Sequence, residues 1–420
     1  MGIAIIGGRL IDPFNQIDAL QDIYITDGKI AAIGIAPEYF PIEQTINAED
    51  RVVCPSFVDL RAKLWESYPI QVIQTEILAA ARGGITTICC TPDIKQSDTP
   101  LSSQVLHEFS PIQIIPLGIL TQRFKGLQLT EMAELSKLGY GGVTNGLVPI
   151  ENTQLLNNAL SYAATLGLKV FLYPRDAWLG IDGYCHEGVV SARLGLKGIP
   201  ETAETITLAR DLQLIEQTGV QAHFCNLSTK KSVQMIKQAQ IKGLPVTADV
   251  TAYHLHLTEH DIGEFDSQCH TIPPLRSPLD RDGLQQGLQE GILSGICSDH
   301  QPCSIDAKLG PFARTKPGIS GLETLLPLCL RLVQEDILTL NEVIAYLTYR
   351  PAQILGIDTG HLACGQPANI CIFDPDYQWV LNPAEMVSYG KNTPFSGWKF
   401  QGIVTHTLVA GKVIYKATRP

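Results

Sequence analysis

The chain has 420 residues, of which 45% are hydrophobic and 17% are charged, and its formal net charge is −11. The hydrophobic content excludes an intrinsically disordered protein, and the acidic balance argues against a nucleic-acid binder, which needs cationic patches. The length fits about two to three average domains, or one large barrel-type domain with a small companion.

The N-terminal segment and the cysteines bear on where the protein is found. The sequence has no apolar run of roughly 18 or more residues, so we expect no transmembrane helix and no membrane partner. The first residues lack a basic region and are interrupted at Gly7 and Gly8, so no signal peptide is expected. The 11 cysteines are odd in number and include the adjacent Cys89 and Cys90. We therefore expect buried free thiols and a cytoplasmic protein.

From about residue 70 the chain repeats one pattern, in which a helical segment ends at a glycine and a short β-rich run follows. The predicted helices span residues 75–82, 152–166, 201–218, 228–242 and 281–290. The predicted strands that follow them span residues 85–90, 168–174, 220–227, 244–253 and 292–300. Regular alternation of helices with continuously apolar strands predicts a parallel sheet covered by helices.

Both ends of the chain depart from this pattern. Residues 1–54 and roughly 360–420 contain short strands, turn signals at 27–28 (DG) and 410–411 (AG), and no long helix. We expect the two ends to form one small β-domain beside a barrel. Neither a GxGxxG motif after the first strand nor a P-loop motif occurs, so the sequence does not support a dinucleotide or ATP site.

Several short motifs occur in a fixed order along almost the whole chain. They are 54–59 (CPSFVD), 83–87 (GGITT), 195–200 (GLKGIP) with 203–204 (AE), 227–229 (LST), 273–276 (PPLR), 298–300 (SDH), 318–323 (GISGLE) and 392–397 (NTPFSG). Together they resemble dihydroorotase and its relatives in the amidohydrolase superfamily, the hydantoinases and allantoinases. The resemblance implies an α/β fold: a (β/α)8 TIM barrel over residues 55–355 and a small β-sandwich built from residues 1–54 and 356–420.

The resemblance also implies where a metal centre would lie. Active members hold zinc, which polarises a cyclic amide and lowers the pKa of a bound water, while an aspartate moves protons. The corresponding aspartate is Asp299. The positions of the family's metal ligands carry Arg61, Lys63, Asn145 or Gly146, Tyr173 and Asn226.

These residues are unsuited to a zinc centre. Neutral imidazole and carboxylate bind Zn²⁺, whereas the ammonium of Lys63 and the guanidinium of Arg61 do not. Arg175 adds a further positive charge. We therefore expect no metal and no other cofactor in this chain.

The family's substrate-binding positions differ as well. An arginine that holds the substrate carboxylate corresponds to Trp65, and an asparagine that contacts substrate corresponds to Asp93. A histidine of a loop region corresponds to Cys303, whereas Arg276 is kept. The residues at the metal-ligand positions, around the catalytic aspartate and at the substrate-contact positions thus all differ from those of active family members, apart from Arg276 and Asp299 themselves.

For the residues at the vestigial metal site, two interpretations compete. Asp299 is either a relict paired with Lys63 or Arg61, or a working base. The two cations either fill a vacated cavity or bind an anion. Trp65 and Tyr173 are interpreted as cavity fillers. We expect Arg61, Lys63, Tyr173, Asn226 and Asp299 to converge at the carboxyl-end mouth of the barrel.

Four histidines could in principle replace the missing ligands. His223 and His254 lie in or near strand-like runs, where hydrogen-bonded core or loop histidines are expected rather than ligands. His256 and His260 have the i,i+4 spacing of a metal pair, but their context, 257–260 (LTEH), favours a loop.

Three functions remain open. The first is a non-catalytic dihydroorotase homologue of de novo pyrimidine biosynthesis that assembles with aspartate carbamoyltransferase, as the resemblance to inactive homologues implies, within a homo- or hetero-oligomer. The second is an active dihydroorotase or related cyclic amidohydrolase with an atypical metal site. The third is a sensor that binds a small anion in the cationic pocket.

Overall fold

The computed structural model describes residues 2–64, 70–92, 110–138 and 140–418. Its strands are β1 (Gly2–Ile6), β2 (Arg9–Asp12), β3 (Ile17–Leu20), β4 (Ile23–Thr26), β5 (Lys29–Ile33), β6 (Gln44–Asn47), β7 (Val52–Pro55), β8 (Phe57–Ala62), β9 (Ile85–Cys90), β10 (Gln113–Pro116), β11 (Gly118–Ile119), β12 (Val143–Thr144), β13 (Val170–Leu172), β14 (Cys185–His186), β15 (Gly198–Ile199), β16 (Ala222–Phe224), β17 (Val246–Thr251), β18 (Gly295–Cys297), β19 (Ile370–Val380), β20 (Lys399–Val409) and β21 (Lys412–Lys416).

The helices are α1 (Ile70–Arg82), α2 (Met132–Lys137), α3 (Thr153–Thr165), α4 (Val189–Leu194), α5 (Thr202–Thr218), α6 (Lys230–Ile241), α7 (Pro278–Gln289), α8 (Leu325–Gln334), α9 (Leu340–Leu347) and α10 (Tyr349–Leu355). Short 3₁₀ helices span Gln122–Phe124, Ala252–Leu255, Glu259–Ile262, Ser267–Cys269, Ile305–Lys308, Phe312–Arg314 and Pro383–Glu385. Within the described residues, no helix combines the length and the apolar character needed to cross a membrane.

Parallel strands form the central barrel. One run of neighbours is β8, β9 and β10, and a second is β11, β12, β13, β16, β17 and β18. Leu117, between β10 and β11, donates its N–H to the Cys90 carbonyl, so the two runs follow on from each other. The circle closes where Ala62 forms a parallel bridge with His300, next to the Lys63 N–H that bonds the His300 carbonyl at 2.9 Å.

The two chain ends form a pair of sheets beside the barrel. One sheet has the order β5, β4, β1, β6, and the other has the order β21, β20, β19, β7, β2, β3. Strand β7 from the N-terminal part pairs antiparallel with β19 from the C-terminal part. The side chains packed between the sheets are aliphatic, among them Ile5, Leu10, Ile23, Ile370 and Leu408. The predicted fold class, a TIM barrel with a small β-sandwich, is confirmed.

The local predictions agree with the structure except at some element ends. The predicted strand 85–90 coincides with β9. Helix α7 begins three residues before the predicted start, because Ser277 accepts the Asp280 N–H and Pro278 occupies the first helical turn. All 11 cysteines are free thiols, and Cys364 is the exposed one.

Candidate functional site

The predicted ligand positions all lie at the carboxyl ends of barrel strands. Arg61 is in β8, Asn145 directly follows β12, Tyr173 directly follows β13, and Asn226 comes two residues after the end of β16. Asp299 comes two residues after the end of β18. In a parallel barrel these ends meet on one face, which is where the active sites of such barrels lie.

Asp299 is the centre of a buried cluster at this mouth. The Arg61 Nε atom lies 2.8 Å from Asp299 Oδ1, and the two side chains are 2% and 0% exposed. The Tyr253 hydroxyl donates to Asp299 Oδ2 at 2.7 Å, and the Gln301 amide donates to both oxygens at 3.0 and 2.9 Å. The expected ion pair is thus formed by Arg61.

Lys63 is linked to the carboxylate through a glutamine. Its Nζ atom donates to Gln301 Oε1 at 2.9 Å, and Gln301 in turn donates to Asp299. Of the two cations that could pair with Asp299, Arg61 is the one that forms the ion pair. Gln301 was missed in the sequence, although its position two residues after Asp299 in a loop could have suggested it.

Arg61 is enclosed on its other side by an aromatic ring. Its guanidinium carbon lies 4.2 Å from the centre of the Tyr173 ring, a cation–π distance. Burial is the largest single influence and by itself would lower the pKa of Arg61, but Asp299 together with Tyr173, Cys225 and Cys297 outweighs burial and raises the pKa. The pair is held by charge rather than by a hydrogen bond, since among the described residues the Arg61 Nε–H has no acceptor in bonding geometry.

The two asparagines form hydrogen bonds with neighbouring segments at the mouth. Asn145 accepts the Thr121 hydroxyl at 2.7 Å and donates to the Val148 carbonyl at 2.8 Å. Asn226 has a positive φ of 55°, and its N–H donates to Asp249 Oδ1 at 2.5 Å. Left-handed backbone at a non-glycine residue stores strain, and such strain concentrates at functional sites.

The predicted substrate positions fall into two groups. Trp65 and Asp93 lie outside the described residues. Arg276 is buried, and donates to the Ser228 hydroxyl at 3.1 Å and to the Ile199 carbonyl at 2.7 Å. Cys303 is buried too, and its N–H bonds Asn392 Oδ1 at 2.9 Å. Arg276 and Tyr173 line the same cleft.

Residues of the family motifs connect segments at the barrel mouth through hydrogen bonds. Asp59 accepts the backbone N–H of Ser298 at 2.9 Å and also its hydroxyl. Burial raises the pKa of Asp59 to about 6, although these bonds oppose the shift. Glu204 accepts the N–H and hydroxyl of both Ser228 and Thr229. These bonds link strand ends that are distant in the chain.

His300 fixes a further part of this frame. Its Nδ1 atom accepts the Gly321 N–H at 3.1 Å, so its Nε2 atom carries the proton that it donates to Glu76 at 3.0 Å. A side chain at Gly321 would bring its Cβ to 2.5 Å from the Ser298 carbonyl oxygen. The motifs at 298–300 and 318–323 therefore require each other sterically as well as through hydrogen bonds.

A group of potential metal ligands lies beside the cluster. One ligand atom each from His223, Cys225 and Asp249 lies within 4.8 Å of the others, and all three residues are buried. Sequence reasoning had found no such group, because Asp249 is on the next strand of the barrel. His223 already bonds the Asp249 carboxylate at 3.1 Å and the Thr247 hydroxyl at 2.8 Å. Burial raises the pKa of the Cys225 thiol well above its usual range.

The other histidines have separate partners. His254 bonds the Thr251 hydroxyl at 2.7 Å and the Pro274 carbonyl at 3.2 Å, and burial lowers its pKa to about 4. His256 donates to the Leu328 carbonyl at 2.8 Å, whereas His260 is exposed. In the described part of the chain, the His256–His260 spacing does not produce a group of three metal ligands.

Comparisons with known proteins agree with this architecture. The amidohydrolase family profile matches residues 66–414. A protein of Pseudomonas aeruginosa named dihydroorotase-like protein is 42% identical over 423 residues, covering 99% of this chain and 100% of that protein. The dihydroorotase of Geotalea daltonii is 35% identical over 424 residues, covering 99% of this chain and 100% of that enzyme.

Solved structures resemble the fold. The L-hydantoinase of Arthrobacter aurescens superposes with a TM-score of 0.87 at 21% identity, covering 99% of this chain and 96% of that chain. A D-hydantoinase superposes with a TM-score of 0.84 at 24% identity, covering 99% and 95% of the two chains. At these identities the likeness concerns the fold. Together with the family match and the close relatives, it leads to one conclusion: this chain belongs to the amidohydrolase family, in its dihydroorotase-like group.

Proposed function

We propose that this chain is a dihydroorotase homologue without metal-dependent hydrolysis, and that it acts as a structural or regulatory partner of aspartate carbamoyltransferase. The observation that carries the proposal is the buried pair of Arg61 and Asp299 at 2.8 Å. In the family, that aspartate works beside a metal. In this chain its charge is balanced by a guanidinium, and its remaining acceptor capacity is used by Tyr253 and Gln301.

The donor chemistry at the mouth argues against zinc in the family position. Zinc needs thiolate, imidazole or carboxylate ligands in tetrahedral array. The residues at those positions are two cations, two amides and a phenol, Tyr173, whose pKa burial raises well above its usual range. A divalent cation beside Arg61 would meet repulsion in a buried site, where charges are screened weakly.

The proposed role as a partner is supported by the hydrogen bonds that the chain retains at the barrel mouth. The hydrogen bonds of Asp59, Glu204 and His300 keep the barrel mouth in shape although the family's metal ligands are replaced. A fold can be retained for the surface that it presents, independently of chemistry at its site. This combination favours an assembly role over a decaying enzyme.

The first experiment measures metal content and hydrolysis on the same sample. Purified protein is expected to contain no stoichiometric zinc and to leave dihydroorotate at the background rate with added Zn²⁺, Mn²⁺ or Co²⁺. The dihydroorotase of Geotalea daltonii is the positive control for the assay. Restoring histidine with Arg61→His and Lys63→His should not give activity. Metal-dependent turnover that Asp299→Ala abolishes would overturn the proposal.

The second experiment tests the partner. The purified chain is mixed with aspartate carbamoyltransferase of its own organism, and the mass of the product is measured by analytical ultracentrifugation. We expect one complex of defined stoichiometry. The carbamoyltransferase sedimenting separately at concentrations well above micromolar would refute the partnership while leaving the statement about hydrolysis intact.

One observation favours the alternative, an active cyclic amidohydrolase with an atypical metal site. His223, Cys225 and Asp249 offer nitrogen, sulfur and oxygen within 4.8 Å, which is a ligand set that zinc accepts. Against it, the hydrogen bonds of His223 and Asp249 would have to break first. Zinc in the purified protein that Cys225→Ala removes, together with loss of hydrolysis, would establish the alternative.

A further inference from the structure

Two cysteines face each other where the two ends of the chain meet. In the antiparallel pairing of β7 with β19, Cys54 lies directly opposite Cys371. The first strand belongs to the N-terminal part of the sandwich and the second to its C-terminal part, so the two cysteines lie 317 positions apart in the chain. No other pair of described strands places two cysteines opposite each other.

Both side chains lie on the face of the sheet that packs against the barrel. Side chains alternate between the two faces of a strand. Cys54 and Cys371 belong to the apolar cluster that includes the barrel core. Their neighbours Val53 and Ile372 belong to the cluster inside the sandwich. Gly84, between α1 and β9, lies against this face, because a Cβ atom there would be 2.6 Å from the Cys371 sulfur. The two sulfur atoms are therefore on the same side of the sheet.

The spacing of the two residues is close to that of a disulfide. The Cys54 thiol donates to the Cys371 carbonyl, with 3.7 Å between Sγ and O. Opposite residues of an antiparallel pair have Cα atoms about 4.5–5.5 Å apart, within the range of about 4.4–6.8 Å found in disulfides. Their Cβ atoms must approach each other by about 1 Å to reach disulfide geometry. A bond formed here would therefore be strained and readily reduced.

Burial determines how this pair can react. Both side chains are 0% exposed. Burial, followed by the neighbouring Cys371 thiol, raises the pKa of Cys54 well above its usual range. Because the thiolate is the reacting form, oxidation is expected to be slow. A small uncharged oxidant can reach the pair when the strands open locally, whereas a bulky disulfide such as oxidised glutathione is excluded.

We propose that Cys54 and Cys371 are a modification site, at which a peroxide forms a reversible disulfide between β7 and β19. One thiol loses its proton and attacks a peroxide oxygen, so that the O–O bond breaks, a sulfenic acid forms and water is released. The second thiol attacks that sulfur, the S–S bond forms, and the hydroxyl group leaves with the thiol proton as water. Two thiols are thus oxidised, and one hydrogen peroxide is reduced to two water molecules. The site does not depend on the proposed assembly role.

The disulfide would join the two parts of the sandwich covalently. A link between residues far apart in the chain restricts the unfolded state more than a link between near ones. We therefore expect the oxidised protein to have a melting temperature higher by at least about 3 °C. The backbone amides of β7 and β19 should also exchange with solvent more slowly, because local opening of this strand pair is suppressed.

The test oxidises the folded, full-length protein carrying Cys364→Ser, which removes the exposed thiol. The protein is kept for a day with millimolar hydrogen peroxide, catalase stops the reaction, and N-ethylmaleimide blocks the remaining thiols during denaturation. Peptide mass spectrometry should find one pair of peptides joined through Cys54 and Cys371. The joined pair should be absent before oxidation and after treatment with dithiothreitol. The melting temperature should rise as the joined pair accumulates.

Matched variants identify the residues responsible. Cys371→Ala should abolish both the joined peptides and the rise in melting temperature, and Cys54→Ala serves if that variant does not fold. Cys329→Ala removes another buried cysteine, on α8, and should keep both signals.

Three results would overturn the proposal. They are free thiols at both positions after the full incubation, sulfinic acid at either position without joined peptides, and a joined pair that contains a different cysteine. Joined peptides without a rise in melting temperature would refute the stabilising effect. None of these outcomes bears on hydrolysis or on the carbamoyltransferase complex.

Discussion

Two arginines at the same barrel mouth have opposite electrostatic environments. Arg61 is 2% exposed, lies against the Tyr173 ring and pairs with a carboxylate that is 0% exposed. Arg175, near the same ring in sequence, is half-buried in an open cleft and has no partner among the described residues. Arg61 is thus enclosed and electrically balanced, whereas Arg175 lies at an open cleft.

This difference follows from access to water. A charge fully removed from water is tolerated when an opposite charge lies beside it, because desolvation costs several kcal/mol per ion. A charge at an open cleft keeps part of its hydration and can remain unpaired. Arg61 is therefore expected to contribute strongly to stability and Arg175 only weakly. Substitutions of the two arginines should distinguish these expectations.

The largest effect is expected at Arg61. Arg61→Met leaves the Asp299 carboxylate buried without a counter-charge and should lower the free energy of unfolding by about 3–5 kcal/mol. Adding Asp299→Asn should recover much of the loss, because the orphaned charge is removed with its partner. Urea denaturation measures all variants, with Arg314→Met as the exposed control. Strictly additive losses would mean that the pair is not coupled.

A smaller effect is expected behind the cluster, at Glu76. Glu76→Gln weakens the bond from His300 and should cost about 1–3 kcal/mol at neutral pH. Burial is the largest single influence and alone would raise the pKa of Glu76, but His300, together with bonds from Ser388 and Tyr389, outweighs burial and the pKa is lowered. The carboxylate therefore stabilises the fold above its unfolded pKa, and this contribution is lost as pH falls through its native pKa.

The pH dependence of stability distinguishes loss of the Glu76 carboxylate charge from a packing defect. The difference in unfolding free energy between wild type and Glu76→Gln should be constant near neutral pH. It should shrink as the pH falls below 4.5, the ordinary pKa of a glutamate. A difference that stays the same on acidification would show that the lost contact was not ionic.

Replacing Lys63 should lower the free energy of unfolding less than replacing Arg61. Its ammonium reaches Asp299 through Gln301 and is half-buried. Lys63→Met should therefore cost under about 1 kcal/mol, as partly exposed charges do. Thermal unfolding of Lys63→Met beside Arg61→Met makes the comparison. A loss as large as that of Arg61→Met would place Lys63 inside the balanced cluster.

The smallest effect on stability is expected at Arg175. Arg175→Gln removes a charge that has no partner in the described part of the chain, so the free energy of unfolding should change by less than about 0.5 kcal/mol. A slight increase is also consistent, because desolvation of the guanidinium is relieved. A loss above about 2 kcal/mol would reveal a structural partner for Arg175 and would end the contrast with Arg61.

Local patterns in the sequence predicted much of the fold. Strand 85–90 and the helix ends at glycines such as Gly219 follow from nearby residues, because apolar periodicity and left-handed glycine caps act over a few positions. The start of α7 was missed for an equally local reason, the Ser277–Asp280 capping box. Some candidate site positions could also be placed, since the carboxyl ends of parallel strands meet on one face.

The sequence by itself determined the type of residue at each strand end and therefore the presence of cations and amides at the family's metal-ligand positions. Only the tertiary structure decided how those groups are paired. Gln301 connects Lys63 to Asp299, His223 bonds Asp249 from the next strand, and Arg175 has no ion pair among the described residues. Residues far apart in the chain reach one another here, and their hydrogen bonds and desolvation depend on side-chain directions that no local pattern encodes.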